Sequence, residues 1–468
     1  MSIESIKQKL SAIGQSKVLR FYDTLDEASK AKLLGQLESQ DLNGLPKLIE
    51  EYVKNKPKID LPQDIKPVRA YPRSADNAEY KSALARGQEL LKEGKVAAFL
   101  VAGGQGTRLG YEGPKGEYPV TPIKNKPLFQ VFAEQLLAHG KAAGRPIPWY
   151  IMTSDVNDAP TQAFFKKHNF FGYDPKLVRF FQQGMIPAFN MQGEMLLSGK
   201  DSLALSADGH GGSLRALRKT GALDDMKARG IVHLSYFQVD NPIVHTIDPL
   251  FIGLHDLSGS EMSSKTIAKA GPLEKVGNFC IGDGKTQVIE YSDLPESLAK
   301  ETNPDGSLKF NAGSIAIHAL RVDFIDRLTA PGSDLKLIWH RAEKKVPYVD
   351  DAGNVVKPSE PNGVKLEQFV FDAIPLAKNA LVYTTAREEE FSPVKNAEGG
   401  DSPATCRRDQ IRRNARWLEA AGVKVPRKAD GEPDAIIEIS PLFAATEEEL
   451  KGKQLPKQID PGSSVYLG

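Results

Sequence analysis

The chain has 468 residues, in which 61 lysines and arginines stand against 60 aspartates and glutamates for a formal net charge of +1. That length allows roughly two to four domains, and the even charge balance gives no overall basic excess of the kind that favours nucleic acid or an anionic membrane. Hydrophobic residues at 40% and charged residues at 26% exclude wholesale disorder, and two cysteines, Cys280 and Cys406, make neither a disulfide framework nor a zinc cluster.

The opening stretch MSIESIKQKLSAIGQSK lacks the continuous apolar core of a secretion signal, and the most apolar run, 96–102, falls far short of the roughly 18–20 residues that span a bilayer. With cysteine usage that fits a reducing compartment, these features predict a cytoplasmic protein with neither a membrane nor a nucleic-acid partner. Apolar residues at Ile3, Ile6, Leu10 and Ile13, then Leu19, Tyr22 and Leu25, recur every three or four positions, which predicts a mostly helical first 55 residues. Prolines at 57, 62, 67 and 72 then break any helix and predict an extended connector. A helical pattern over 83–95 leads into VAAFLVAGG, which reads as a short buried strand of a parallel sheet. Further strands are expected at 149–153, 178–181 and 231–239, with amphipathic segments such as 128–137 between them, the alternation of an α/β domain. The predicted organisation is a helical N-terminal region with its connector (1–82), a catalytic domain (83–400) and a small C-terminal domain (401–468).

The first strand ends in GGQGTRLGYEGPKG, residues 103–116. Gly103 and Gly104, with Gly106 and Gly110, let the backbone turn sharply and bring bare amides up to phosphate oxygens. Two familiar phosphate loops fail by counting: GxxxxGK[ST] is absent, and GxGxxG breaks because Leu109 stands where its third glycine belongs. Arg108 and Lys115, seven residues apart in the same loop, suit a polyphosphate whose leaving charge must be neutralised. In VHLSYFQVDNP, Asp240 and Asn241 fall at a strand end, where ligands gather in open α/β sheets and where a carboxylate can reach a magnesium ion or a ribose.

The run LVAGGQGTRLGYEGPKG resembles the signature of the eukaryotic-type UDP-N-acetylglucosamine pyrophosphorylases, within the wider UDP-sugar pyrophosphorylase group. The likeness continues, in order, through MTSD, FFKKHNFFG, FFQQGMIPA, DGHGG, FQVDNPIVHTIDPLFIG, VIEYSDL, FNAGSIAIH, KKVPYVD, PNGVKLEQFVFD and REEEFSPVKNA, and so covers residues from about 97 to 407. The resemblance implies a nucleotidyltransferase fold, a Rossmann-like central mixed sheet flanked by helices. It also implies a uracil contact for Gln183, with Gln182 as the rival, and for the backbone of Gly209, a nucleotide and metal role for Asp240, and sugar contacts for Gly277, Glu290 and Asn311. Lys395 is implied as the residue that meets the sugar phosphate and the α-phosphate as they come together. This chain departs from the family at His210 and Ser314, where the acetylglucosamine enzymes usually carry Asn. His210 and Asn241 complete the expected sugar set. The acidic run 387–391 reads as a solvated or structural ion-pair segment, and CRRDQIRR (406–413) as a solvated basic helix face.

The resulting expectation is a Mg²⁺-dependent uridylyltransferase, a monomer, that forms UDP-sugar and pyrophosphate from UTP and a sugar 1-phosphate, with N-acetylglucosamine 1-phosphate favoured over glucose 1-phosphate. The alternatives are a nicotinamide-dependent dehydrogenase, from the glycine loop alone, and a nucleotide-sugar sensor without turnover.

Overall fold

The computed structural model describes residues 2–56, 61–74, 76–333 and 337–468. Pro57, first of the connector prolines, lies outside them. By contact the chain divides into a smaller unit, Met1–Leu61, Gln183–Ser213 and Lys336–Asp372, and a larger one, Pro62–Gln182, Leu214–Leu335 and Ala373–Gly468. These units do not coincide with the boundaries drawn from sequence at 82 and 400.

The larger unit is built on a ten-stranded mixed sheet. In chain order its strands are β1 (Ile65–Pro67), β2 (Val96–Val101), β3 (Trp149–Thr153), β4 (Val178–Gln182), β5 (His233–Gln238), β6 (Met262–Ala268), β7 (Asn278–Gly282), β8 (Lys285–Ile289), β9 (Ala312–Arg321) and β10 (Val382–Thr384). They lie in the order β1-β7-β9-β5-β2-β3-β4, with β6 on β9 and β10, and β8 on β7. The run β5-β2-β3-β4 is parallel, with Phe99 opposite both Tyr236 and Tyr150. Strands buried on both faces must be apolar throughout, which is why VAAFLV and WYIMT carry no alternation and were legible as strands. Pro67 cannot donate to a ladder, and it sits on β1 at the sheet's end.

Helices cover this sheet. The helix α1 (Ala78–Lys92) is capped by Asn77, whose side chain accepts from the amide of Tyr80, and α3 (Pro249–Leu257) is capped in the same way by Asp248. The two cross without intervening side chains: a methyl at Gly87 would lie 1.8 Å from the Pro249 carbonyl oxygen, and one at Gly253 1.7 Å from that of Ala83. Between them in sequence, α2 (Leu128–Ala143) is buried nearly all round and stops at Gly144, in the left-handed conformation that ends helices cheaply. The long α4 (Pro403–Ala420) opens the C-terminal stretch, where Trp417, Leu418, Ile437 and Leu450 form a separate apolar cluster. Its arginines correct the expectation of a solvated basic face: Arg407 donates to the Pro119 carbonyl at 3.0 Å and Arg413 to that of Ile243 at 3.0 Å, and burial lowers the Arg413 pKa to about 10.

In the smaller unit the predicted helices appear as Ile3–Ala12 and Glu27–Glu38, burying Ile6, Leu10, Leu33 and Leu37 with Phe189, Leu197, Val364 and Leu366. The three-and-four spacing of Leu19, Tyr22 and Leu25 does not continue that helix. Its residues fall in or beside two short 3₁₀ turns, Ser16–Leu19 and Tyr22–Thr24, after a break at Gly14, whose φ is +70°.

Candidate active site

The chain runs β2, β3, β4 outward and then returns to lay β5 on the other side of β2, so the strand order reverses between β2 and β5. In an open α/β sheet this reversal leaves a crevice at the carboxyl ends of the two strands. The loop 102–116 leaves β2 there, and the turn at Asp240 leaves β5 beside it, with the Val239 amide donating to the Val101 carbonyl at 3.0 Å.

The glycine loop is folded on itself. The Gly106 amide reaches the Gly113 carbonyl at 2.8 Å and the Lys115 amide reaches that of Gly104 at 3.1 Å. A methyl at Gly116 would fall 2.1 Å from the Phe129 ring, whereas one at Gly104 would meet no protein atom within 4 Å, so nothing inside the chain demands glycine at 104. The loop is held from below by Asn157, fully buried, whose amide donates to the carbonyls of Ala102 at 2.9 Å and Gly104 at 3.3 Å and accepts from Ser154 at 2.7 Å. Sequence reasoning passed over Asn157. A polar residue just past a buried strand was the available signal.

Lys395 comes to the same end of the sheet from far along the chain. The Val394 amide donates to the Asp240 carbonyl at 2.7 Å, and the Lys115 ammonium reaches back to the Val394 carbonyl at 3.4 Å. Burial lowers the Lys115 pKa; Asp240 opposes that shift, and Arg108 and Lys395 add to it, so the four charges share one field. Arg108 is exposed and makes no hydrogen bond or ion pair with any described residue. The Asp240 carboxylate is likewise without a hydrogen bond among them. A magnesium ion bound largely through phosphate oxygens and water needs only one or two protein carboxylates, and Asp240 fits that requirement. The described residues offer one other cluster with metal-like spacing, His245, Asp248 and Glu390, but its carboxylates are already bridged by the Lys265 ammonium, 2.6 Å from Asp248 and 2.5 Å from Glu390. Of the two readings of the 387–391 run, solvated or structural ion pairs, the structure bears out the second: Glu389 and Glu390 are buried, and Glu389 pairs with Arg416 at 2.9 Å and accepts from the indole of Trp417 at 2.9 Å.

Asp240, Asn241, Gly277, Ser314 and Lys395 line one cavity of about 160 Å³. Within it a methyl at Gly277 would meet Glu290 at 3.3 Å and Ser314 at 3.7 Å, which groups two expected sugar contacts with the departing position Ser314. Two others behave differently. Asn241 has its amide engaged by the backbone of Glu390 and Ser392, at 2.6 and 3.2 Å. Asn311 accepts from the Lys269 amide at 2.8 Å and lines a separate cavity of about 190 Å³.

The remaining expected contacts belong to the smaller unit. Gln183 is buried and Gln182 exposed, so the neighbours do point apart. Gly209 has a φ of +83°, and a side chain there would strike the Gln368 carbonyl at 2.4 Å. The His210 ring stacks on Phe369 at 5.2 Å and accepts through Nδ1 from the Val370 amide at 3.1 Å. That bond requires the proton on Nε2, and burial, with His340 adding to it, holds the imidazole neutral by lowering its pKa to about 4.

A phosphate-seeking loop, a lone carboxylate and three cations at a sheet reversal define a nucleotide-handling α/β enzyme. The chain matches the UTP–glucose-1-phosphate uridylyltransferase family over residues 42–402, and it belongs to that family. It is 39% identical to the mouse UDP-N-acetylhexosamine pyrophosphorylase-like protein 1, over 97% of this chain and 96% of that one, and 36% identical to the yeast UDP-N-acetylglucosamine pyrophosphorylase, over 96% and 97%. Among solved structures, the uridine diphosphate N-acetylglucosamine pyrophosphorylase of Trypanosoma brucei in complex with an inhibitor superposes with a TM-score of 0.82 at 26% identity, covering 100% of this chain and 98% of that one. No helix among the described residues is long and apolar enough to cross a membrane.

Proposed function

We propose that the chain transfers uridylyl from UTP to N-acetylglucosamine 1-phosphate, giving UDP-N-acetylglucosamine and pyrophosphate, as a cytoplasmic monomer. The observation that carries this is geometric: at the ends of β2 and β5 the Lys115 ammonium reaches the Val394 carbonyl, the Val394 amide holds the Asp240 carbonyl, and Asp240 and Lys395 line one cavity. A phosphate oxygen of the sugar phosphate attacks the α-phosphorus in line, and the bond to the β-phosphate oxygen breaks as pyrophosphate leaves. No covalent protein intermediate is needed, so the protein's task is to orient two anions and neutralise their charge. Arg108 and Lys115 hold the β- and γ-phosphates, with the amides of Gly103 and Gly104 against the chain of phosphates. Lys395 draws the sugar phosphate and α-phosphate together. Asp240 would hold a magnesium ion, which would supply further neutralisation of phosphate charge. Gln183 and Gly209 are the uracil contacts; Gly277 and Glu290 serve the sugar.

Pyrophosphate release with UTP and a panel of sugar 1-phosphates tests this. The expected result is turnover highest with N-acetylglucosamine 1-phosphate, and no release with any sugar phosphate would overturn the proposal. A second reading, glucose 1-phosphate as the preferred acceptor, is favoured by His210 and Ser314, which replace two amides of the acetylglucosamine enzymes. Loss or exchange of one polar partner in a closed pocket shifts preference by about 1–3 kcal/mol, enough to reorder related sugars. A larger kcat/KM for glucose 1-phosphate selects this reading and leaves uridylyl transfer intact.

A further inference from the structure

Lys395 sits on an irregular segment, 391–401, with no helix or strand of its own. Its ammonium is half-exposed and, among the described residues, has only Asp401 within ion-pair range, at 3.8 Å. The backbone of this segment is nevertheless pinned at alternate residues by the two residues that leave β5. Asn241 donates to the Glu390 carbonyl at 2.6 Å and accepts from the Ser392 amide at 3.2 Å, and Asp240 accepts from the Val394 amide at 2.7 Å. One turn therefore carries the site's carboxylate and also grips the chain that delivers its lysine.

The grip is anchored in the core. Glu390 and Lys265 are both buried, and the ammonium donates to the two carboxylate oxygens of Glu390 at 2.5 and 2.8 Å and to Asp248 at 2.6 Å. Thr385 donates to Glu390 at 2.7 Å, and the other oxygen of Asp248 caps α3 through the Phe251 amide at 3.1 Å. Lys265 belongs to β6, inside the sheet. Burial works against the Lys265 charge, but Asp248 and Glu390 outweigh it and raise the pKa, while Glu390 is lowered, so the group stays ionised. A buried ion group adds little stability over a well-packed apolar one, and its distinctive product is a fixed geometry.

We propose that Glu390, locked by Lys265 and Asp248 and joined to β5 through Asn241, is a positioning residue that sets the placement of Lys395 beside Asp240. The proposal rests on the reading of Lys395 as a residue of uridylyl transfer. A misplacement of about 1 Å at a reacting group can cost roughly 10²-fold in rate, so loosening the grip acts on turnover and leaves substrate affinity nearly unchanged.

The test is a double-mutant cycle on the full chain, Glu390→Gln and Lys395→Met alone and together, with amide hydrogen exchange measured across 391–397. Glu390→Gln is expected to lower kcat about 10- to 100-fold with KM for UTP and sugar phosphate within about twofold, and to speed exchange in 391–397. In the Lys395→Met background it is expected to cost less than about twofold more, because the group it positions is already gone. A full multiplicative loss in that background, or unchanged exchange in 391–397, overturns the proposal. Glu390→Asp, which keeps the charge on a shorter stem, guards against misfolding; its exchange is expected between wild type and Gln, and wild-type exchange counts against the proposal. Wild-type turnover in Lys395→Met alone instead overturns the assigned role of that lysine, while exchange still judges the grip.

Discussion

The glycine loop and the 391–401 segment both bring cations to the ends of β2 and β5, yet they are held by opposite means. The loop grows directly out of a buried strand, so the ladder that fixes β2 also fixes Gly103 and Gly104, and Asn157 trims what freedom is left. The 391–401 segment has no ladder. It is held by the Asn241 side chain on the backbone of Glu390 and Ser392, by the Asp240 carbonyl on the Val394 amide, by the Ser392 hydroxyl on Asp409 and by the Lys115 ammonium on the Val394 carbonyl, with Glu390 itself fixed in the core by Lys265. A ladder spreads positional control over many weak bonds, whereas a few buried charged bonds concentrate it in single residues. Lys115 should therefore be insensitive to most single changes around it and Lys395 sensitive to a few.

The largest effect is expected at the loop cations themselves. Lys115→Met keeps the stem and removes the charge, and with Arg108→Ala it should lower turnover by about 10²–10³ each. Calorimetry should show much smaller changes in UDP-sugar affinity, since that product lacks the pyrophosphate these cations hold. Near-normal turnover in both variants would remove the loop from the comparison altogether. Lys395→Met is expected to cost somewhat less, on the order of 10²-fold, with an unaltered thermal melt; unfolding as the main defect would make it a structural lysine.

A third expectation probes the one concentrated support on the loop side. Asn157→Ala leaves the Ala102 carbonyl and the Ser154 amide without a buried partner, which costs about 1–3 kcal/mol in urea denaturation. If the loop draws its order from the ladder, turnover in that variant should fall by less than in Glu390→Gln, and a larger fall would erase the contrast between the two supports.

The smallest effect is a pH dependence near the buried charges. His139 lines the same cavity as His245, Asp248 and Glu390, and burial, with His245 adding to it, lowers its pKa to about 4 from 6.5. The unfolded chain then binds the proton more readily than the folded one. Stability from this residue is complete above pH 6.5 and is lost as pH falls toward 4. Melting temperature should drop over that window, with His210 contributing in the same sense, and His139→Gln should make the drop shallower; an unchanged profile would acquit the histidine.

What the sequence made legible follows the same division. A buried strand followed by glycines and cations is a local pattern, so β2, β3 and the loop 103–116 could be read directly, and Asp240 followed from its place at a strand end. Asn241, Lys265 and Glu390 lie far apart in the chain, and an acidic run such as REEEF reads identically whether two of its members are solvated or buried. The smaller unit escaped for the same reason: its three stretches are separated by more than a hundred residues each, and no local periodicity links them. The functional reading of His210 met a related limit, since nothing beside it in sequence announces the Phe369 ring on which it stacks.

The bare crossing of α1 and α3 has a consequence for how the protein is made. The face of α1 that carries Gly87 meets α3 only after roughly 150 more residues are made, so at about 5–20 residues per second a ribosome leaves that face uncovered for roughly 8–30 s. During that interval Tyr80 and Ala83, which pack with Phe251 and Leu254 of α3 in the finished protein, are open to other chains. Synthesis at a rate that outpaces chaperone supply should accordingly yield aggregates nucleated by the N-terminal third of the polypeptide, even though the finished protein buries that surface.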